Sequence, residues 1–64
     1  MDKMPIAILI DADNISPASA GDIFKAACCI GEPIVRRAYG MVNCFSDHGG
    51  WAQVQREYGI VARP

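Results

Sequence analysis

MPIAILIDADN, residues 4–14, is the stretch that decides the fold. Its apolar run, Ile6, Ala7, Ile8, Leu9 and Ile10, leads without a break into Asp11, Ala12, Asp13 and Asn14. A strand with one face in water alternates polar and apolar residues; a strand apolar at every position suits a sheet covered on both faces. A run this short is the length of a strand, not of a membrane span or an ordinary helix. Open α/β sheets place their ligand sites just beyond the carboxyl ends of the strands, and two acids and an amide fall there. The stretch reads as a buried strand carrying carboxylates to a sheet edge, with Asp11 as the first candidate residue. The plainer alternative is a turn and helix cap, common uses of Asp and Asn.

Downstream, Ser16-Pro17 is a helix start, with Ser as cap and Pro at the first helical position. Ala20, Ile23, Phe24, Ala27 and Cys28 follow at the spacing of one apolar helical stripe. Gly31 is the expected C-cap and Pro33 blocks continuation, so the first helix is predicted over residues 17–30. Residues 34–39, IVRRAY, read as a second strand closed by Gly40, and residues 41–46 as a loop. Ser46 or Asp47 is the predicted cap of a second helix with Trp51, Val54 and Tyr58 on its apolar face and Gly59 at its end. Ile60, Val61 and Ala62 make a short third strand.

The order strand–helix–strand–helix–strand, with crossovers of this length, implies parallel pairing. Right-handed crossovers then give strand order 3-2-1 with both helices on one face. That leaves the first strand at an edge and one sheet face bare, at odds with its all-apolar composition. The chain is therefore expected to be half of a doubly wound α/β domain, with its remaining strands missing. Self-association, or docking of the missing carboxyl-terminal half, is expected through Ile6, Ala7, Ile8, Leu9 and Ile10.

Composition narrows the class. Sixty-four residues, 52% of them hydrophobic, allow a single small domain. Six basic and seven acidic side chains give a formal net charge of −1, which excludes a basic nucleic-acid footprint spread over the whole chain but not a local one. Three cysteines, with Cys28 and Cys29 adjacent, form no disulfide framework and no Cys-x-x-Cys pair. With Cys44 they read as small buried apolar residues in a reducing compartment. No secretory leader or membrane span is visible, so a soluble cytoplasmic protein is expected.

The first strand with Asp11, Ala12, Asp13, Asn14 and Ile15, then Gly31-Glu32-Pro33 leading to Val35-Arg36-Arg37-Ala38-Tyr39-Gly40, together with Gly50-Trp51 and Tyr58-Gly59-Ile60, resembles the amino-terminal half of an NYN domain, a PIN-like ribonuclease fold. The resemblance covers nearly the whole chain. It implies an open, Rossmann-like parallel sheet sandwiched by helices and metal-dependent cleavage of RNA, with magnesium or manganese as cofactor. It also places Asp11 and Asn14 in the active site. Asp13 is a candidate second metal ligand or an exposed loop acid.

In that family further catalytic acids follow the third strand, and this chain ends at Pro64. The expectation is a partial NYN domain over residues 1–64, truncated after the third strand and inactive as a ribonuclease by itself. Phosphodiester hydrolysis needs a cation to activate water and shield developing charge, and one or two carboxylates make only a weak cation site. Two further readings stand beside this one. A non-catalytic half domain that self-associates or binds RNA fits the bare sheet. A phosphatase of haloacid-dehalogenase type fits the Asp11-Ala12-Asp13 spacing, with Asp11 as nucleophile, though Ile15 stands where that motif commonly has Thr or Val.

The remaining candidates are weaker. Arg36 and Arg37 suit phosphate, but neighbours in a strand point to opposite faces, so only one serves a given site. Tyr39 at a strand's carboxyl end suits base stacking, with burial in the core as the simpler reading. His48 near a helix start is a substrate contact or an exposed loop residue. Trp51 is expected in the core.

Overall fold

A computed structural model describes residues 3–64 of the protein. The chain is α/β: β1 (Pro5–Asp11), α1 (Ala20–Ile30), β2 (Glu32–Tyr39), α2 (Trp51–Tyr58) and β3 (Val61–Arg63). The three strands are parallel and lie in the order β1-β2-β3, so β2 is central and β1 and β3 are the edges. Among the described residues, no helix is long and apolar enough to cross a membrane.

Period-two alternation sorts β1. Ile8 and Ile10 are buried and Ile6 half-buried, while Ala7 and Leu9 are exposed. Ile8 and Ile10 join Ala38 of β2, Ala20, Phe24 and Ala27 of α1, Trp51 at the start of α2, and Ile60 in one core. Both helices therefore cover the same sheet face, and Phe24 stacks on Tyr58 between them with ring centroids 4.7 Å apart. The opposite face is open: Leu9 is 62% exposed and Val61 54%. The strand predicted to be covered on both sides is covered on one.

Local starts and stops follow backbone chemistry. The Ser16 hydroxyl accepts from the Ala18 amide at 3.2 Å, as expected of a cap before Pro17, but the first turn (Pro17–Ser19) is 3₁₀ and the α-helix begins only at Ala20. Gly31 ends α1 for a different reason than the one predicted. Its backbone is extended, and an added Cβ would lie 2.3 Å from the Met4 carbonyl oxygen, so the residue is small because β1 passes close by. Gly59 does take the left-handed conformation, with φ 65°, and closes α2.

Other elements shift as well, and β3 is Val61–Arg63 where residues 60–62 were predicted, because Ile60 turns into the core before the strand pairs with β2. Strand β2 starts two residues earlier than predicted and includes Pro33, because the register slips between Ile6 and Ala7 and leaves Ile34 as an extra residue at a bulge. A bulge is where a strand tolerates Pro. The predicted loop after Gly40 contains a 3₁₀ turn (Val42–Phe45). Helix α2 starts at Trp51, behind Gly50 with φ 83°, and leaves Asp47 and His48 outside it.

Burial of three side-chain groups also differs from expectation. Cys28 and Cys29 are exposed and Cys44 is half-buried, because a helix resting on one sheet buries only a narrow stripe. Tyr39 is 41% exposed, since it stands on the open sheet face. Arg36 is half-buried on the helix face, where Nε donates to the Pro33 carbonyl at 2.8 Å and Nη1 to the Tyr58 carbonyl at 2.9 Å. It serves the last turn of α2, where a cation complements the helix dipole. Trp51 is 1% exposed, as expected.

Candidate functional site

The turn after β1 is built by its own residues. The Asp11 carbonyl accepts from the Asn14 amide at 3.2 Å and from the Ile15 amide at 2.9 Å, closing the chain on itself. The exposed Asp11 carboxylate is held on both oxygens: Oδ1 accepts from the Asp13 amide at 3.2 Å, and Oδ2 from Asn14 Nδ2 at 2.6 Å. Two short polar side chains in a tight turn give this arrangement without tertiary help. It brings together Asp11 and Asn14, the two residues that the resemblance singles out, with the amide orienting the acid.

Asp13 behaves differently. Its Oδ1 accepts from the Met41 amide at 2.9 Å and from the Cys44 thiol at 3.2 Å. The carboxylate thus ties the turn after β1 to the turn after β2. The Met41 N–H, with the Cys44 thiol behind it, holds the Asp13 pKa below the ordinary value of 3.8, against a smaller opposing effect of burial. The same bond, helped by burial and by the negative charge of Asp13, raises the Cys44 thiol above its ordinary value. Space is tight here, for a Cβ on Gly40 would lie 3.0 Å from Asp13 Oδ1.

A depressed carboxylate pKa fixes the sign of the pH dependence. The unfolded chain binds the proton first as pH falls, so the Asp13 contribution is fully present above about pH 3.8 and is lost as pH drops through the lower folded value. The Met41 amide proton is expected to shift with that titration, and Asp13→Ala should remove the shift while sparing the sheet. A Met41 amide that titrates identically in Asp13→Ala would show that the clamp does not form.

Register places the other candidates. Tyr39 pairs with Asp11 on one side and Arg63 on the other, so an acid, a phenol and a guanidinium share the carboxyl end of the open sheet face. Arg37 lies on that face between Leu9 and Val61, one row back. His48 is exposed in the turn before α2. Among the described residues, no hydrogen bond joins Arg37 or His48 to the Asp11 turn. Sequence reasoning missed Met41 and Cys44, which reach Asp13 from 28 and 31 residues away. Nothing in local spacing signals either contact.

Magnesium and manganese take oxygen ligands, and the turn after β1 offers carboxylates. A carboxylate offers about four lone-pair sites, and Asp11 uses one on each oxygen, which leaves acceptor capacity facing solvent. Asp13 accepts both of its hydrogen bonds on Oδ1, and among the described residues its Oδ2 accepts none. Among the described residues, no group of three or more His, Cys, Asp or Glu side chains is placed to hold a metal ion. The residues fit a hydrated ion held by Asp11, the kind of site magnesium accepts when waters and phosphate complete its shell. They do not fit a two-ion clamp, which needs several converging carboxylates.

A cavity of about 670 Å³ opens beside the clamp, lined by Asp13, Gly40, Met41, Val42, Asn43, Ser46 and Pro64. Compared with protein-family models, curated proteins and solved structures, the chain matches none.

Proposed function

We propose that the chain is an RNA-binding domain of the PIN-like, NYN type, in which Asp11 directs a magnesium or manganese ion toward RNA phosphate. On this reading β1, β2 and β3 are the first three strands of the family's open sheet, ordered 3-2-1 from the far edge. The observation that carries the reading is the Asn14–Asp11 contact at 2.6 Å, which presents an oriented, solvent-facing carboxylate at the carboxyl end of a parallel strand. Asp11 is the cation carboxylate, Asn14 its positioning residue, and Asp13 a strut between two turns. When bound, the ion would neutralise phosphate charge beside Asp11. Tyr39, exposed in the same row as Asp11, is placed to stack a base.

The Asp13 clamp argues against the phosphatase reading. That chemistry needs the second acid to take up and return a proton, and here the Met41 amide and the Cys44 thiol on Oδ1 favour its unprotonated form.

With no group of three or more ligating side chains among the described residues, the chain is expected to bind single-stranded RNA in a magnesium-dependent way without cleaving it. Fluorescence anisotropy with a labelled oligoribonucleotide reads both outcomes, since cleavage lowers the anisotropy with time. Asp11→Asn should abolish the magnesium dependence, and Asn14→Ala should weaken it. Magnesium-dependent cleavage lost in Asp11→Asn would make the chain a nuclease. RNA binding indifferent to magnesium and to Asp11→Asn would end the proposal.

A further inference from the structure

We infer that β1 is a dimerisation edge, paired antiparallel with the β1 of a second copy of this chain across a two-fold axis near Ile8. The inference stands apart from the RNA reading, because it rests on backbone groups and not on Asp11.

The edge groups are identified by parity. At one end of β1 the Met4 carbonyl accepts from the Glu32 amide, and at the other the Ala12 amide donates to the Tyr39 carbonyl, both at 2.8 Å. In a parallel ladder every second residue turns its N–H and C=O to the same neighbour. Even-numbered residues of β1 therefore bond β2, and the amides and carbonyls of Ala7 and Leu9 point outward, where no strand lies beside them among the described residues. Pro5 agrees with this parity: its missing N–H falls on the outward side, where β2 asks for none.

The two edges of the sheet are treated differently. Strand β3 is three residues long and carries Arg63, followed by Pro64, which are features of a guarded edge. Strand β1 is seven residues long and has no charge before Asp11, no Pro after Pro5, and Leu9 exposed beside it. Such an edge is a template for another strand.

Self-complementarity selects a second copy as the occupant. Centred on Ile8, a two-fold aligns all seven residues of β1, sets Leu9 beside Ala7 of the other copy and Asp11 beside Pro5, and brings no like charges together. The two Arg37 side chains would then sit three strand spacings apart, about 14 Å, which is beyond the screening length at physiological salt. Stacking the open faces instead would press Arg37 of each copy into an apolar contact, at a desolvation cost.

The accessible surface of 4487 Å² is about 500 Å² above that of a compact 6.9 kDa monomer, so the chain leaves more surface uncovered than a closed domain of its size. A contact along one seven-residue edge is small against the roughly 1,000 Å² of a stable interface. The dimer is accordingly expected to be concentration-dependent.

The test is sedimentation equilibrium of the 64-residue chain over a wide concentration range, with amide hydrogen exchange at each concentration. The apparent mass should rise toward twice 6.9 kDa, and the Ala7 and Leu9 amides should gain protection with it. Leu9→Lys should hold the mass at the monomer value, while Val61→Lys, on the open face but away from the edge, should dimerise like the parent chain. A folded parent chain that stays monomeric at high micromolar concentration overturns the inference, and so does a dimer whose Ala7 and Leu9 amides exchange freely. Loss of the dimer in Val61→Lys would assign the contact to the open face and overturn it too. Because hydrogen exchange uses the unaltered chain, failure of a variant to fold leaves the test intact.

Discussion

Ile8→Lys is expected to abolish cooperative folding, whereas the same substitution one residue later, Leu9→Lys, should leave the fold intact. Ile8 is 7% exposed and sits in the core with Phe24 and Trp51; Leu9 is 62% exposed on the open face. Removing the isoleucine forfeits about 1.5–3 kcal/mol of burial. An unpaired ammonium in its place costs several kcal/mol more. A domain of this length has only about 3–10 kcal/mol of stability in all, so Ile8→Lys exhausts it. Circular dichroism melts of the two variants decide the matter. A two-state melt for Ile8→Lys, or none for Leu9→Lys, would reverse the assignment of faces on β1.

Trp51→Ala is the other large effect. Trp51 is the largest fully buried side chain, 1% exposed, at the point where α2 meets the shared core. Truncations of this kind cost about 3–5 kcal/mol, again most of the stability available. Its Nε1 is buried with no hydrogen-bond partner among the described residues, so Trp51→Phe gives up some packing but also removes an unpaired polar group. Chemical denaturation should therefore rank the parent chain first, Trp51→Phe next and Trp51→Ala last, the last without a folded baseline. If Trp51→Ala kept the parent midpoint, the core would have to lie elsewhere.

Much of this architecture was legible because the signals are local. An apolar run ending in Asp gave β1 and its turn. Ser16-Pro17 gave the approach to α1, and Gly59 the end of α2. What escaped depended on contacts distant in sequence. Gly31 looks like a left-handed cap, but its size is set by the Met4 carbonyl passing 2.3 Å from where a Cβ would stand. Pro33 reads in the sequence only as a block to the helix, and the bulge at Ile34 lets it belong to β2. Cys28 falls on the apolar stripe of α1, yet lies beyond the width that one sheet covers.

The candidate site shows the same division. The Asp11–Asn14 pair is a three-residue signal and could be read directly, because a turn this tight leaves the two side chains little choice of partner. Asp13 could not be assigned that way. As a residue type it reads equally as a second ligand or as an exposed loop acid, and it is exposed in the turn after β1. In the fold its Oδ1 is taken by Met41 and Cys44, which arrive from the turn beyond β2. The bare sheet face was legible from the crossovers, but which face Tyr39 takes was not, because that depends on its pairing with Asp11 across the bulge.

The most direct test of the account is paramagnetic mapping of manganese on the isotopically labelled chain. Signal broadening should centre on the amides of Asp11, Asp13 and Asn14, spare Asp22 and Glu57, and disappear in Asp11→Asn while persisting in Asp13→Asn. Broadening that survives Asp11→Asn, or that centres away from the β1 turn, would contradict the assignment of Asp11 as the cation carboxylate.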